Sequence, residues 1–367
     1  MPNPQANGYK GEKSLMKKKE LKKIYHNSLT APLIFMVLLF SLPIFITSKY
    51  VLTVLIMIGI YALVCNGMTL LTGFAGQISL GHAAFYGIGA YSSAIMTAHY
   101  GFSPWIGMIV GMVVAALVAL IVGIPTFKLK GHYLALATMG FGIIIYTAFK
   151  ELKGLTGGSN GFFGIPPISL FGFQFTSDLH YFYLIWTFVI IGLIFSRNII
   201  HSRIGRALRS IEGSEVASDA VGVNIMNYKL QVFMLSAMFA SLAGSLLAQY
   251  VSFINPDLFG AMTSIYFLIM VIIGGSSRIW GSIVGAATYV LLGELLKQYL
   301  PALLPSIGGE FEIVFFGVLL VVTLIYMPNG LVPQFEKLFS KFFKKRQHAI
   351  HPQVQVKRKQ IASGGEQ

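Results

Sequence analysis

The chain has 367 residues, 55% of them hydrophobic and only 11% charged, with a mean hydropathy of +0.71. Soluble domains carry about a quarter of their residues as charges, so much of this apolar surface cannot hide in a water-soluble core and must face lipid. The formal net charge of +14 invites a nucleic-acid partner, but the basic residues cluster beside the apolar runs, as membrane orientation requires, and no nucleic acid is expected.

Taken in chain order, residues 1–29 form a basic tail with seven lysines. Ten apolar segments follow, at 30–48, 50–71, 83–99, 104–125, 132–149, 180–196, 228–253, 262–276, 282–300 and 310–327. Each is long enough to span a bilayer once tilt and boundary errors are allowed, the eighth being the shortest. Unbroken runs, rather than alternation at every second residue, point to helices and not to a barrel. The first run could serve as a cleaved signal sequence, but without a small-x-small cleavage site it reads as an uncleaved anchor. The single cysteine, Cys65, lies inside a run, which excludes an intramolecular disulfide. Residues 334–367 form a second basic tail, with eight Lys or Arg, whose composition reads as mobile.

Charge placement tests the span count. The tails and the segment 197–229, with Arg197, Arg203, Arg206, Arg209 and Lys229, are separated by six and then four spans, so all three share one side. Lys128, Lys130 and Arg278 also fall there, making 23 of the 27 basic residues, and only Lys49, Lys150, Lys153 and Lys297 fall opposite. The expected fold is an all-α polytopic bundle of about ten transmembrane helices, both ends cytoplasmic (N-in, C-in), in which 30–333 is the membrane domain.

Within the bundle, Gly107/Gly111, Ala115/Ala119/Gly123, Ala240/Gly244/Ala248 and Gly281/Gly285 recur at four-residue spacing. Small residues on one face let helix backbones approach, and generic packing accounts for nearly all of them. The segment 71–82 is different, placing Gly73, Gly76 and Gly81 among Gln77, Ser79 and His82. It reads either as a broken or re-entrant pathway segment, a candidate gate, or as a plain cytoplasmic turn. His82 reads as a hydrogen-bonded packing residue more readily than as a proton relay. A similar glycine-rich break at 274–281, with Gly274 and Gly275, hints at an internal repeat. The loop 150–179, the longest on its side, could dock an external partner, cap a cavity, or simply connect.

Between the sixth and seventh spans, Ile204, Ala207, Leu208, Ile211, Val216, Ala217 and Ala220 recur at roughly helical spacing with charges interleaved. This predicts one or two short amphipathic helices joined near Gly213. Arginines mixed with Glu212, Glu215 and Asp219 suit a protein socket better than an anionic lipid surface. No G-x-x-x-x-G-K-[ST] phosphate loop, zinc-protease motif or nucleophile elbow occurs. The apolar spans carry almost no acid besides Glu294, so energy for pumping is expected to enter from another subunit. If the chain were instead a self-sufficient carrier or channel, Glu294 and His82 would be its working groups.

The stretches LLTGFAGQISLGHAAFYGIGAY (70–91), LKGHYLALATMGFG (129–142), LTGGSNG (155–161), SRIGRALRSIEGSEVASDAVGVN (202–224) and IIGGSSRIWGSIVGA (272–286) together resemble the permease subunits of ATP-binding-cassette importers for branched-chain amino acids, in the LivM-like branch. The resemblance implies a second, related permease, two cytoplasmic ATPases that bind the ATP, and an external substrate-binding protein. No cofactor or metal is implied for this chain. It implies further that Glu215, Ala217 and Gly222 belong to the ATPase-coupling segment, here with Val216 in the second motif position and the glycine one place later than in the commonest form. Close relatives sharing these motifs would carry urea, short amides or other amino acids.

Overall fold

The computed structural model describes residues 35–36, 39–43, 48–129, 131–170, 172–303, 310–327 and 329–334. Most of the expected first span and both basic tails lie outside the described residues. The remaining nine expected spans each coincide with a helix. These are α1 (Lys49–Thr69), α2 (His82–Ala98), α3 (Pro104–Thr126), α4 (His132–Glu151), α5 (Asp178–His201), α8 (Ile225–Val251), α9 (Ala261–Gly274), α10 (Gly281–Leu303) and α11 (Glu310–Tyr326). Two short helices, α6 (Arg203–Gly213) and α7 (Glu215–Ala220), lie between α5 and α8. Among the described residues, α1 with its π-helical extension, α3, α4, α5 and α8 are long and apolar enough to cross a membrane. At 14 residues, α9 is about 21 Å long, shorter than the hydrocarbon core. The chain is an all-α membrane protein.

Sequence spacing decides which way α3 faces. Gly107, Gly111, Ala115, Ala119 and Gly123 are buried, whereas Ile109, Val113, Leu117, Ile121 and Ile124 are exposed. Small residues point inward and large aliphatic ones outward, the reverse of a helix folded in water. In lipid the outward face has no reason to hide, and close packing selects the inward one.

The tightest crossing joins α2, α3 and α8. A side chain at Gly89 would collide with the carbonyl of Ser241, and one at Gly244 with that of Tyr86. Polar side chains then bond across the contact. Ser245 donates to the Gly89 carbonyl at 2.9 Å, and Gln249 Nε2 donates to Ser93 Oγ at 3.0 Å. On α1, Gly59 lies against Ile185 and Trp186 of α5, and Gly67 against Ser236 and Phe239 of α8. The helices α9 and α10 meet where Gly274 faces Gly281 and Gly285 faces the Met270 backbone. Generic packing, the reading given to the four-residue spacings, is what these positions do.

At one end of the bundle the connector 152–177 is stitched to the rest of the fold. Strand β1 (Phe162–Phe163) pairs antiparallel with β4 (Phe253–Ile254), which directly follows α8, and β2 (Ser169–Leu170) forms a hairpin with β3 (Phe173–Gln174). The α6–α7 pair is at the opposite end of α8.

Valine at Gly244 would drive α2 from α8 at a backbone contact, so Gly244→Val is expected to cost about 3 kcal/mol. The loss should appear as a lower melting temperature and an aggregated size-exclusion profile in detergent. Gly140, with open space where its side chain would be, supplies the control: Gly140→Val should leave both unchanged.

Candidate functional site

Three serine or asparagine caps build the α6–α7 platform. Ser202 ends α5 in an extended conformation; its Oγ donates to the Ile199 carbonyl at 2.7 Å and accepts from Ile204 N at 3.1 Å. Ser214, with φ −165° and ψ 116°, breaks α6 from α7 and caps α7 by accepting from Ala217 N at 3.3 Å. The break thus falls at Ser214, near Gly213 as the sequence leads one to expect. Asn224 caps α8 by accepting from Asn227 N at 3.1 Å.

Several charges expected to face a partner are used inside the chain. Arg206 donates to the His201 carbonyl at 3.4 Å and Arg209 to the Ile200 carbonyl at 3.1 Å. Cations therefore sit over the last turn of α5, where unpaired carbonyls and the helix dipole favour them. Gly205 lies so close to the Ile200 backbone that no side chain fits. Glu215 forms an ion pair with Lys229 at 2.7 Å, and the lysine side chain is only 4% exposed. The Ser210 and Ser218 hydroxyls meet at 2.7 Å and fasten α6 to α7.

What faces outward is different. Glu212, Ala217, Asp219 and Gly222 are exposed, and Val216 and Val221 are 79% and 77% exposed. Gly222 sits in the turn after α7. These two valines and the buried Lys229 stand out in the structure but are not among the candidates that the sequence offers. Charge-side rules treat Lys229 as one more positive charge in a loop, although its place one turn into a capped apolar helix is a usable signal.

The two glycine-rich breaks come together beside this platform. After α1 the chain widens into a π-turn at Leu70–Phe74, runs irregularly, and restarts as α2 at His82. Gly73 lies against the Ser276 carbonyl of the second break, too close for a side chain. Gly76, at φ 65°, is positioned against Glu212 of α6, and Gly81 against the Thr138 carbonyl of α4. In the second break Gly275 has φ 105° and contacts Gly330 and Asn329. The segment 75–81 is thus irregular backbone held against protein, an arrangement common to the broken-segment and plain-turn readings.

Side chains from other helices satisfy its polar groups. Leu80 N donates to Thr138 Oγ1 at 3.0 Å and Ala83 N to Ser264 Oγ of α9 at 2.9 Å. Gln77 Nε2 donates to the Ala75 carbonyl at 2.9 Å. His82, fully buried, bonds Ser79 through Nδ1 at 3.1 Å and Ser236 of α8 through Nε2 at 2.7 Å, with its ring edge-on to Phe85 and Phe233. It is the hydrogen-bonded packing histidine that the sequence suggested.

Glu294 is paired rather than alone, accepting from the Tyr50 hydroxyl and from Lys297 at 3.0 Å. Toward the β1–β4 end, Asp257 accepts from the Tyr146 hydroxyl at 2.8 Å and pairs with Lys150 at 3.1 Å. The Tyr146 hydrogen bond, followed by the Lys150 ammonium, holds its carboxyl below the usual carboxylate range. Among the described residues no three His, Cys, Asp or Glu side chains converge to hold a metal ion.

A family model described as "Branched-chain amino acid transport system / permease component" matches residues 50–324, which include both breaks and the platform. The chain is 28% identical over 350 residues to the high-affinity branched-chain amino acid transport system permease protein LivM of Escherichia coli (strain K12), covering 88% of this chain and 80% of that protein. It is 26% identical over 302 residues to the permease protein LivH of the same system and strain, covering 76% of this chain and 93% of that protein. To the probable branched-chain amino acid transport permease protein LivM of Methanocaldococcus jannaschii it is 23% identical over 323 residues, covering 77% and 92%. No solved structure matches the chain.

Leucine at His82 would strip both serine hydroxyls of their imidazole partner inside the bundle. His82→Leu is expected to lower stability by about 2–3 kcal/mol, measured as a reduced thermal midpoint of the purified protein in detergent.

Proposed function

Because the chain belongs to the branched-chain amino acid transport permease family, whose model spans residues 50–324, we propose that it is the membrane-embedded permease subunit of an ATP-driven importer for branched-chain amino acids. Within this reading it spans the cytoplasmic membrane about ten times, with both termini and the α6–α7 platform on the cytoplasmic side. It pairs with a second, related permease, draws energy from two cytoplasmic ATPases, and receives substrate from an external binding protein.

The single observation that carries the coupling role is the exposed pair Val216 and Val221 on a platform otherwise bolted to the bundle. Two exposed aliphatic side chains, one on a short capped helix and one just past its end, gain by entering an apolar socket, and a few such anchors supply most of an interface's binding energy. Ala217, Asp219, Gly222 and Glu212 surround them and complete the face offered to an ATPase. Arg206, Arg209 and Glu215 act behind this face, keeping α6 and α7 on α5 and α8.

Transport proceeds by alternating access. Nucleotide-driven approach of the ATPases pushes the platform, and the permease pair reorients around a pathway between its subunits. Gly76, in the first glycine break with Gly73, Gln77, Ser79, Gly81 and His82, lies against Glu212 of α6, which supports a break that responds to the moving element. Gly274 and Gly275 in the second break adjoin it. These two breaks are the gate candidates. The paired Glu294 and the doubly bonded His82 favour an importer energised from outside the chain over a stand-alone carrier.

Reconstitution with the sister permease, ATPases and binding protein tests the function directly. Labelled leucine, isoleucine and valine should accumulate only with ATP, and urea or short amides should not; accumulation of urea instead would reassign the cargo. In the same system Val216→Asp with Val221→Asp should reduce ATP-driven uptake at least about tenfold, with membrane abundance unchanged. Undiminished uptake would remove these valines from the docking face.

A further inference from the structure

Lys229 is the one basic residue of the 197–229 segment that is buried. It occupies the second turn of α8, and its ammonium reaches back to Glu215 in the first turn of α7. A buried ammonium deprived of its carboxylate is strongly disfavoured, so the two helices resist being pulled apart at this point. The carboxylate is one-third exposed, at 34%, against 4% for the lysine. The pair is therefore reached from the platform side and closed on the bundle side.

The elements on either side are stiff. α7 is fixed to α6 by the Ser210–Ser218 bond. α8 runs without interruption for 27 residues, holding His82 through Ser236, Gly89 through Ser245, and Ser93 through Gln249. At its far end Tyr181 donates to the Gln249 carbonyl at 2.8 Å, and the chain passes through Ser252 directly into β4, paired with β1. One continuous helix thus joins the platform to the two-stranded element at the opposite end of the bundle.

We propose that Lys229 is a positioning residue for coupling: the Glu215–Lys229 pair makes α7 and α8 move as one body, so that displacement of the platform is carried along α8 to the β1–β4 element. This rests on the importer reading and deepens it. Glu215 is thereby an internal fastener and not a contact to the ATPase. The pair differs from generic packing in needing opposite charges at these two positions, in either order.

The test uses the whole importer reconstituted in vesicles, with ATP hydrolysis and labelled leucine uptake measured on the same preparation. Glu215→Gln and Lys229→Met should each lower leucine transported per ATP about tenfold while hydrolysis continues, and the exchanged pair E215K/K229E should recover most of the loss. Amide hydrogen exchange supplies a second readout. Nucleotide should alter exchange in both 215–220 and 225–232 of the native importer, and only in the first of these in Glu215→Gln, whose shape is conserved. Normal transport per ATP in the single variants, or an exchanged pair no better than they are, overturns the proposal. Failure of the native importer to accumulate leucine with ATP strikes the importer reading itself, and so is distinguishable.

Discussion

The contact of α2 with α8, where Gly89 meets the Ser241 backbone and Gly244 that of Tyr86, is what the rest of the bundle is arranged around. Between helices in lipid there is no hydrophobic effect to draw them together, because the surrounding tails are as apolar as the side chains. Association then depends on van der Waals contact and interhelical hydrogen bonds, and both are greatest where glycines remove the spacing imposed by side chains. Once α2 and α8 touch at the backbone, Ser245 and Gln249 come within bonding distance of α2. The same approach brings Ser236 to His82.

The second requirement follows from the backbone. A buried peptide group without a hydrogen-bond partner is expensive, and the chain departs from helical geometry between Phe74 and His82. The cost is offset by hydroxyls borrowed from elsewhere: Thr138 on α4 for Leu80 N, and Ser264 on α9 for Ala83 N. Because those acceptors lie on different helices, these two bonds hold only while α4 and α9 stay in register with α2. An irregular segment whose partners sit on several independent elements responds to relative motion of those elements, which a segment capped by its own neighbours does not. This is the physical content of proposing 71–82 as a gate candidate.

The helices themselves were legible from the sequence. Apolar runs located nine of them to within a few residues, since span length is imposed by the bilayer, and four-residue spacing marked the buried face of α3. The two-helix platform was legible too, because Ile204, Leu208 and Ile211 keep helical spacing between caps. Less accessible was the use made of individual charges. Hydropathy and charge-side rules treat Arg209, Glu215 and Lys229 alike as positions on a surface. Whether each ends at a helix terminus, in an ion pair or in water depends on how α5, α6 and α8 meet, which Gly205 permits by removing a side chain. The contact between the two glycine breaks was likewise invisible, as 73 and 276 are distant in sequence and neither break carries a complementary motif.

That division of labour changes what the mixed charge of 197–229 means. Read along the chain, alternating Arg and Glu suggest a polar socket for a partner. In the folded protein Arg206 and Arg209 neutralise the carbonyl end of α5, and Glu215 satisfies a buried lysine; beside the exposed Glu212 and Asp219 the platform also presents two strongly exposed valines. Such an arrangement suits an element that must transmit force. Exposed ion pairs are weak and screened by salt, so a charged outer face would slip under load, whereas apolar anchors entering a socket resist withdrawal. The Glu215–Lys229 pair, with the lysine out of water, gives stiffness behind the anchors. In the proposed role the platform meets a partner through its valines and the exposed residues around them, is held to the bundle by the Glu215–Lys229 pair and the arginines over the end of α5, and passes a push first to α5 and α8.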